Sequence, residues 1–274
     1  MQTRLETLVK WSTKNCYSQN GNFSNNTYNT IILDGDNNTI TNSSFNDTVI
    51  LYSGDNNVFI NSIINVTNNN THVEASGTGK KYFVNVTFNN ETNVSTEDSS
   101  YIYLQSYLTI HINDSDGNLV NNVNFSGYNV LNQKEDSISS NNSVDLTLTE
   151  WYMTNNIQYI TTNNHTVIVS APGYMGNKTN LLINGSASIN LTLTNLTCGI
   201  NLVEDSLLGS NLTTSGTCFT ITTQDVELDG NNYFITGDGT GSAIIVANSS
   251  EVLIKDLTIQ NASNAINFIN QNSS

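Results

Sequence analysis

Val226-Glu-Leu-Asp-Gly-Asn-Asn-Tyr-Phe-Ile235, followed by Thr236, repeats the pattern of Ile31-Ile-Leu-Asp-Gly-Asp-Asn-Asn-Thr-Ile40, followed by Thr41. Each copy alternates up to Leu-Asp-Gly, turns through Asn, and returns to an apolar residue. The alternation has the period of a half-buried strand. Asp-Gly-Asn is turn chemistry, because Gly accepts positive φ and Asp caps nearby amides. The copies start 226 − 31 = 195 residues apart. That is too far for neighbouring repeats, so one supersecondary unit is started twice, and the stretch between decides the architecture.

From the first copy, apolar residues come in short bursts with period two: Ile31/Leu33, Val49/Leu51, Val58/Ile60, Ile63 and Tyr82/Val84/Val86/Phe88. Asn, Gly, Asp and Ser punctuate them, as expected of strands joined by tight turns. Taking the bursts at 31, 58 and 82 as equivalent gives spacings of 27 and 24 residues. A recurrence of this length predicts a solenoid whose coils each hold three short strands and add ~4.8 Å through parallel pairing, with apolar residues pointing into a narrow core. After the second copy, Val252/Ile254, Leu257 and Ile259 restart the pattern 26 residues beyond Val226. Residues 12–29 read as loop. Thr3-Arg-Leu-Glu6 matches a capping box, which fits a short helix plugging the coil end or an irregular strand.

Three stretches, Val226-x-Leu-Asp-Gly-Asn-x-Tyr-x-Ile-Thr236, Gly216-Thr-Cys-Phe-Thr-Ile221 and Val252-x-Ile-Lys-x-Leu-Thr-Ile259, resemble the right-handed parallel β-helix family. That architecture is shared by pectate-lyase-like enzymes and by many prokaryotic surface and adhesin-like proteins. Between the blocks the spacing breaks. Leu108-Thr-Ile-His-Ile112 alternates and turns through Asn113-Asp-Ser-Asp-Gly-Asn118, and further bursts follow at Val123/Phe125, Leu146/Leu148, Val167/Val169, Leu181/Ile183 and Ile189/Leu193. About seven short strands describe an antiparallel sandwich. Through Asp114-Ser-Asp-Gly-Asn118 and Ser170-Ala-Pro-Gly-Tyr174 this segment is similar to the carboxypeptidase regulatory-like, transthyretin-like family. It departs from the family at Leu119 and Asn121-Asn122, where a Pro and a Gly-Ala pair usually stand. Trp151 and Tyr152 read as core or rim aromatics of this unit. The expected fold is therefore all-β, with right-handed parallel β-helix (solenoid) blocks flanking an antiparallel β-sandwich. Its parts are an N-terminal cap or loop at 1–29, coils at 30–100, an Ig-like or transthyretin-like sandwich at 101–196, and the start of a second β-helix at 197–274.

Cys198 and Cys218 bracket the first coil of the second block. A matching pair recurs in sequences that this half resembles, which implies a disulfide that stabilises by ~3 kcal/mol in the chain-entropy account, and an oxidising compartment. Cys16 is left over, with a partner expected outside the chain.

Composition narrows the function. Of 274 residues, 23 are Asp or Glu and only 8 are Lys or Arg, giving a formal charge of −15. Nucleic-acid binding needs clustered bases to neutralise phosphates, and Lys80-Lys81 is the only adjacent pair, so that class is excluded. The longest aliphatic run, Ala243–Ala247, is far short of the ~20 residues of a membrane span. No signal peptide is visible at Met1–Glu6. The chain is expected to be an internal piece of a longer extracellular or cell-surface protein, with its signal and anchor elsewhere.

Chemistry-bearing residues are sparse. Asp34 and Asp229 in the two Leu-Asp-Gly copies read as turn formers rather than acids, and no carboxylate cluster is expected at equivalent positions of successive coils, nor beside Lys255. Asp114-x-Asp116-x-Asn118 has the oxygen-rich spacing of a calcium loop. It lacks the following Gly and the later bidentate Glu, so Ca²⁺ is the only cofactor it suggests, and a solvated turn is the simpler reading. Gly77-Thr-Gly-Lys80-Lys81 and Gly237–Ser242 read as inter-strand loops rather than phosphate cradles. His72, His111 and His165 stand apart from any ligand partner, and His111 and His165 are expected to face outward. Asn22, Asn42, Asn65, Asn85, Asn124, Asn164, Asn177 and Asn211 each open an Asn-x-Ser/Thr glycosylation acceptor.

Together these features point to a secreted or cell-surface, non-catalytic adhesin or stalk that binds polysaccharide or other glycans, or joins other envelope proteins. The alternative is a polysaccharide lyase or hydrolase of the β-helix fold whose catalytic coils lie outside this stretch.

Overall fold

The computed structural model describes residues 14–17, 21–28, 30–46, 48–51, 54–65, 73–88, 94–97, 99–160 and 165–270. The capping-box segment Thr3–Glu6, His72 and Asn164 lie outside the described residues. Among those described there is no helix, and the chain winds as a β-solenoid of about ten stacked turns.

Three parallel faces make the first block. One stacks Lys14–Tyr17, Ile31–Asp34, Val49–Leu51, Val73–Ala75 and Val94–Thr96. A second stacks Asn22–Ser24, Thr39–Thr41, Asn57–Ile60, Thr78–Val84 and Ser99–Asp114, and a third runs from Thr27–Tyr28 to Thr87–Phe88. The coil therefore begins inside the stretch expected to be loop. Strands of two to four residues leave too little alternation to read, and lateral pairing holds them instead. The register also corrects the spacing, since Ile31 pairs with Val49 and it is Thr39 that pairs with Val58.

That shift turns several residues over. A one-residue change of register exchanges the faces of a strand. Asn57, Phe59, Lys81 and Phe83 are fully buried, while Val58, Ile60 and Tyr82 face outward; Ile64 is inward and Ile63 is 51% exposed. The Gly77–Lys81 stretch also belongs largely to the strand Thr78–Val84 rather than to a loop.

Two devices explain the Asn-rich sequence. Asn25, Asn42, Asn61 and Asn85 occupy the same corner of successive turns with φ near 50°. Asn tolerates this left-handed conformation better than other side-chain-bearing residues, and here each backbone N–H donates to a carbonyl of the next turn. Inside, Asn38 and Asn57 form a buried ladder. The Asn57 Oδ1 accepts from the Asn38 backbone N–H and Nδ2, both at 3.0 Å, and Asn57 Nδ2 donates to the Gly35 carbonyl at 3.0 Å. Lys81 takes the next step of the column, its Nζ donating to the Thr78 carbonyl at 3.1 Å and to those of Ser76 and Gly79 at 3.5 Å. Beside the ladder an aromatic column runs through the core: Tyr28 stacks on Phe45 at 5.3 Å between centroids, Phe45 meets Phe59 edge-on at 5.7 Å, and Phe59 stacks on Phe83 at 4.7 Å.

The two Leu-Asp-Gly copies reach their turns differently. Gly35 takes φ 130°, as turn chemistry requires, but Gly230 does not, and there Asn231 and Asn232 carry the positive φ. Gly230 is needed for space instead, because a Cβ would sit 2.5 Å from the Asp256 carbonyl oxygen and the Leu257 Cα of the next turn.

Ser99–Asp114 carries the coil into the middle of the chain. Its inward Ile102 and Leu104 close the first core with Trp151 and Met153, and its Leu108, Ile110 and Ile112 line a second core. Trp151 thus seals the solenoid rather than the middle unit. The second core is completed by Val123, Phe125, Leu146, Leu148, Val167 and Val169, several of them from an antiparallel four-stranded sheet of Lys134–Ser140, Val123–Tyr128, His165–Ser170 and Asn177–Leu181. Ser99–Asp114 also pairs in parallel with Ala187–Asn195, which pairs through Tyr174–Met175 to Ser206–Leu207 of the second block. There three parallel faces resume, and Glu227 lies beneath Leu253 with the expected 26-residue spacing. Cys198 and Cys218 are disulfide-bonded at the base of this block, and Cys218 is fully buried in its core.

Candidate functional site

The most distinctive surface lies where the first block meets the middle unit. Outward positions of four adjacent strands carry tyrosines in register: Tyr82 opposite Tyr103, Tyr103 opposite Tyr152 of Ser143–Thr154, and Tyr152 opposite Tyr159 of Ile157–Ile160. Their rings stack at 5.3, 5.7 and 4.8 Å between centroids with interplanar angles of 20°, 28° and 12°. Tyr101 stands two residues from Tyr103 on the same face, 6.3 Å away. Cross-strand aromatic pairs contribute about 0.5–1.5 kcal/mol each, so the row also ties the coil to the hairpin beyond it. Among the described residues none of these five phenol hydroxyls bonds to protein. Burial pushes the Tyr82 and Tyr103 phenols up, aided by Asp55 at Tyr82 and by the neighbouring tyrosines at Tyr103, so both stay protonated donors at neutral pH.

Beside the row opens a cleft of about 250 Å³, floored by Tyr101, Tyr103, Tyr152 and Thr149 and walled by Asn129, Val130, Leu131, Gln133 and Glu135. Its loop is pre-ordered: the Asn129 Oδ1 accepts the backbone N–H groups of Leu131 and Gln133, both at 3.0 Å. That holds Val130 and Leu131 45% and 72% exposed at the cleft edge. Glu135 is fixed by the Thr149 N–H, 3.0 Å from its Oε2. The Nε2 of His165 lies 3.2 Å from the same oxygen without hydrogen-bond alignment, and His165 is fully buried, not outward. It alternates with Val167 and Val169, so its strand's inner face runs one position further than the apolar residues reveal. An amphipathic cleft with aromatic floor, aliphatic wall and a few fixed polar groups suits a sugar ring, which has C–H faces and a polar rim.

The other candidates lie elsewhere. The Asp114 Oδ1 accepts the N–H groups of Asp116 and Asn118 at 2.9 and 2.8 Å, and its Oδ2 accepts Asn118 Nδ2 at 3.1 Å. Burial alone would raise this carboxyl, but bonds from Asn118, Asp116 and Gly117 hold it below the usual carboxylate range. Asp116 receives a 3.4 Å bond from Asn195. These oxygens are occupied by the turn itself, and among the described residues no group of three or more His, Cys, Asp or Glu is placed to hold a metal. Of the glycosylation acceptors, Asn22, Asn42, Asn65, Asn85, Asn124 and Asn211 are exposed and Asn177 is half-buried. Several already bond locally: Asn85 to Asn61 at 2.7 Å, Asn124 to Ser139 at 2.5 Å and Asn211 to the Phe234 N–H at 3.0 Å. His111 is exposed, as expected, near Ser143.

Acidic residues do superpose in the second block, against expectation. Asp205 lies beneath Glu227, and with Glu204, Asp225 and Glu251 they line a depression of about 190 Å³ beside Lys178. Lys255 reaches Glu227 at 2.8 Å and Asp229 at 3.4 Å. One turn of the coil brings together residues that sequence separates by more than twenty positions.

No protein-family model matches the chain, and no curated protein matches it. Fold and site define an all-β protein built on a parallel β-solenoid, with an aromatic cleft at the junction of its parts. Among the described residues no helix is long and apolar enough to cross a membrane.

Proposed function

We propose that the chain is a segment of a secreted or cell-surface, non-catalytic adhesin or stalk, and that it binds glycans at the tyrosine row and its cleft. One observation carries this reading: half-exposed tyrosines whose hydroxyls have no protein partner among the described residues border a cleft with aliphatic and polar walls. The Cys198–Cys218 bond supports an oxidising compartment, and a polar surface with few cations fits an extracellular protein. The core shared by residues from Leu108 to Leu193, with its antiparallel sheet, supports a transthyretin-like sandwich there, and the stacked parallel faces on either side support right-handed, pectate-lyase-like coils. A glycan array probed with the chain and with Tyr103→Ala tests the reading. Specific binding that the substitution removes is expected, and a silent array leaves no glycan-binding role.

A second reading, a carbohydrate-active enzyme, is favoured by the stacked carboxylates alone. Burial raises the Glu204 carboxyl, which Lys178 opposes and Asp205 reinforces, the direction a general acid requires. Depolymerisation of a polysaccharide that disappears in Glu204→Gln would establish it.

A further inference from the structure

We propose that the row Tyr82–Tyr103–Tyr152–Tyr159 is a comb that binds one extended, uncharged glycan chain lying across the strands, with a sugar residue opposite each ring. The proposal rests on the glycan-binding reading above and adds the length, direction and charge of the ligand.

The stacking geometry dictates the mode of contact. With interplanar angles of 12–28° the rings turn their faces largely toward one another, so each presents mainly an edge and a hydroxyl outward. The row therefore offers a line of hydrogen-bond donors rather than one flat platform. Their spacing follows from the ~4.8 Å separation of neighbouring strands, and ring centroids 4.8–5.7 Å apart match the scale on which an extended hexose chain repeats. The cleft gives the comb a fixed point, because at Tyr103 and Tyr152 the aliphatic wall of Val130 and Leu131 can cover the C–H face of one sugar. At the far end Tyr159 is 41% exposed, so among the described residues the row's last ring stays accessible to the chain.

Charge sets the ligand class. Lys80 lies 5.9 Å from the Tyr103 ring, with Asp55 close to Tyr82 and Glu135 in the cleft wall, so the row has no field of one sign. A polyanion would meet a protein of formal charge −15 with only mixed charges to receive it.

The test is calorimetric titration of the chain with neutral β-1,3- and β-1,4-linked hexose oligomers from monomer to hexamer, with oligogalacturonates as the acidic series. Affinity for a neutral series is expected to climb to the tetramer and then level off. Replacing all four tyrosines by Phe keeps the stack and removes the hydroxyls, and is expected to weaken tetramer binding at least about tenfold with the melting temperature unchanged. A monomer that binds as tightly as the tetramer, or a Tyr→Phe variant that binds like the parent, overturns the comb but leaves a glycan site in the cleft. Preference for the acidic series overturns the assignment of charge. Absence of binding to both series, together with a silent glycan array, overturns the comb and the glycan-binding reading at once.

Discussion

Replacing Asn57 by Leu tests whether the buried amide ladder, rather than apolar packing alone, holds the first block. Asn57 is fully buried and its side chain makes three bonds of 3.0 Å, two received from Asn38 and one given to the Gly35 carbonyl. Gly35 keeps a second donor, Asn38 Nδ2 at 3.1 Å, but the Asn38 backbone N–H loses this acceptor. Taking a buried amide's acceptor away costs about 1–3 kcal/mol, and two lost side-chain bonds cost about 1 kcal/mol each. The added apolar burial of Leu returns part of this, about 1–2 kcal/mol. The net expectation is a loss of roughly 1–4 kcal/mol, read as a lower urea midpoint at unchanged slope. Asn61→Gly is the control on the outside of the coil. It keeps the positive φ of 50° and loses one exposed bond, so about 1 kcal/mol is expected. An Asn57→Leu variant within 1 kcal/mol of the parent, or no worse than Asn61→Gly, would refute the argument that the ladder bears stability.

Three further outcomes can be checked. Burial lowers the Lys81 ammonium from its ordinary 10.5, with Asp55 opposing. Between the folded value and 10.5 the unfolded chain binds more protons, so stability linked to this group rises with pH across that window. In Lys81→Met that rise vanishes, and the stability of parent minus variant should grow from neutral pH toward 10.5; parallel urea midpoints across the range would contradict it. Gly230→Ala should destabilise by at least about 1–3 kcal/mol, because its Cβ would meet backbone of the next turn at 2.5 Å, whereas a mere loss of turn freedom would cost less; thermal melts decide. Reducing Cys198–Cys218, or replacing both by Ala, should remove about 3 kcal/mol from the second block, measured by hydrogen exchange at Phe219–Ile221 compared with Ile31–Asp34.

The coil was legible where apolar alternation survived, as at Ile31–Asp34 and in the 26-residue step from Val226. It was misread where polar residues sit inside. Asn57 and Lys81 look like surface residues, yet both are buried because stacked turns supply partners that only the fold brings near. The same blindness hid the tyrosine row. Tyr101-x-Tyr103 announces one face of one strand, but aligning Tyr82, Tyr152 and Tyr159 with it needs a cross-strand register that spans 78 residues of sequence. The acidic depression was missed for the same reason, since Asp205 and Glu227 become neighbours only after one full turn. The disulfide was expected because a matching Cys pair recurs in sequences that the second block resembles, and its two cysteines bracket a single coil.

The sheet that begins at Asn22–Ser24 passes without a break through Ser99–Asp114, Ala187–Asn195 and Tyr174–Met175 to Leu253–Lys255. Its lateral bonds lie along the long direction of the stack, so a pull on the two ends would load them in series and part them one row after another. Within each solenoid block a row is shared by three faces, but among the described residues the sheet crosses between the blocks through the two-residue strand Tyr174–Met175, flanked by the Gly173 and Gly176 N–H groups that donate to the Leu207 and Asp205 carbonyls. A pull on the two ends is therefore expected to open the sheet first at this step, with the turns on either side, and the tyrosine row with them, keeping their shape.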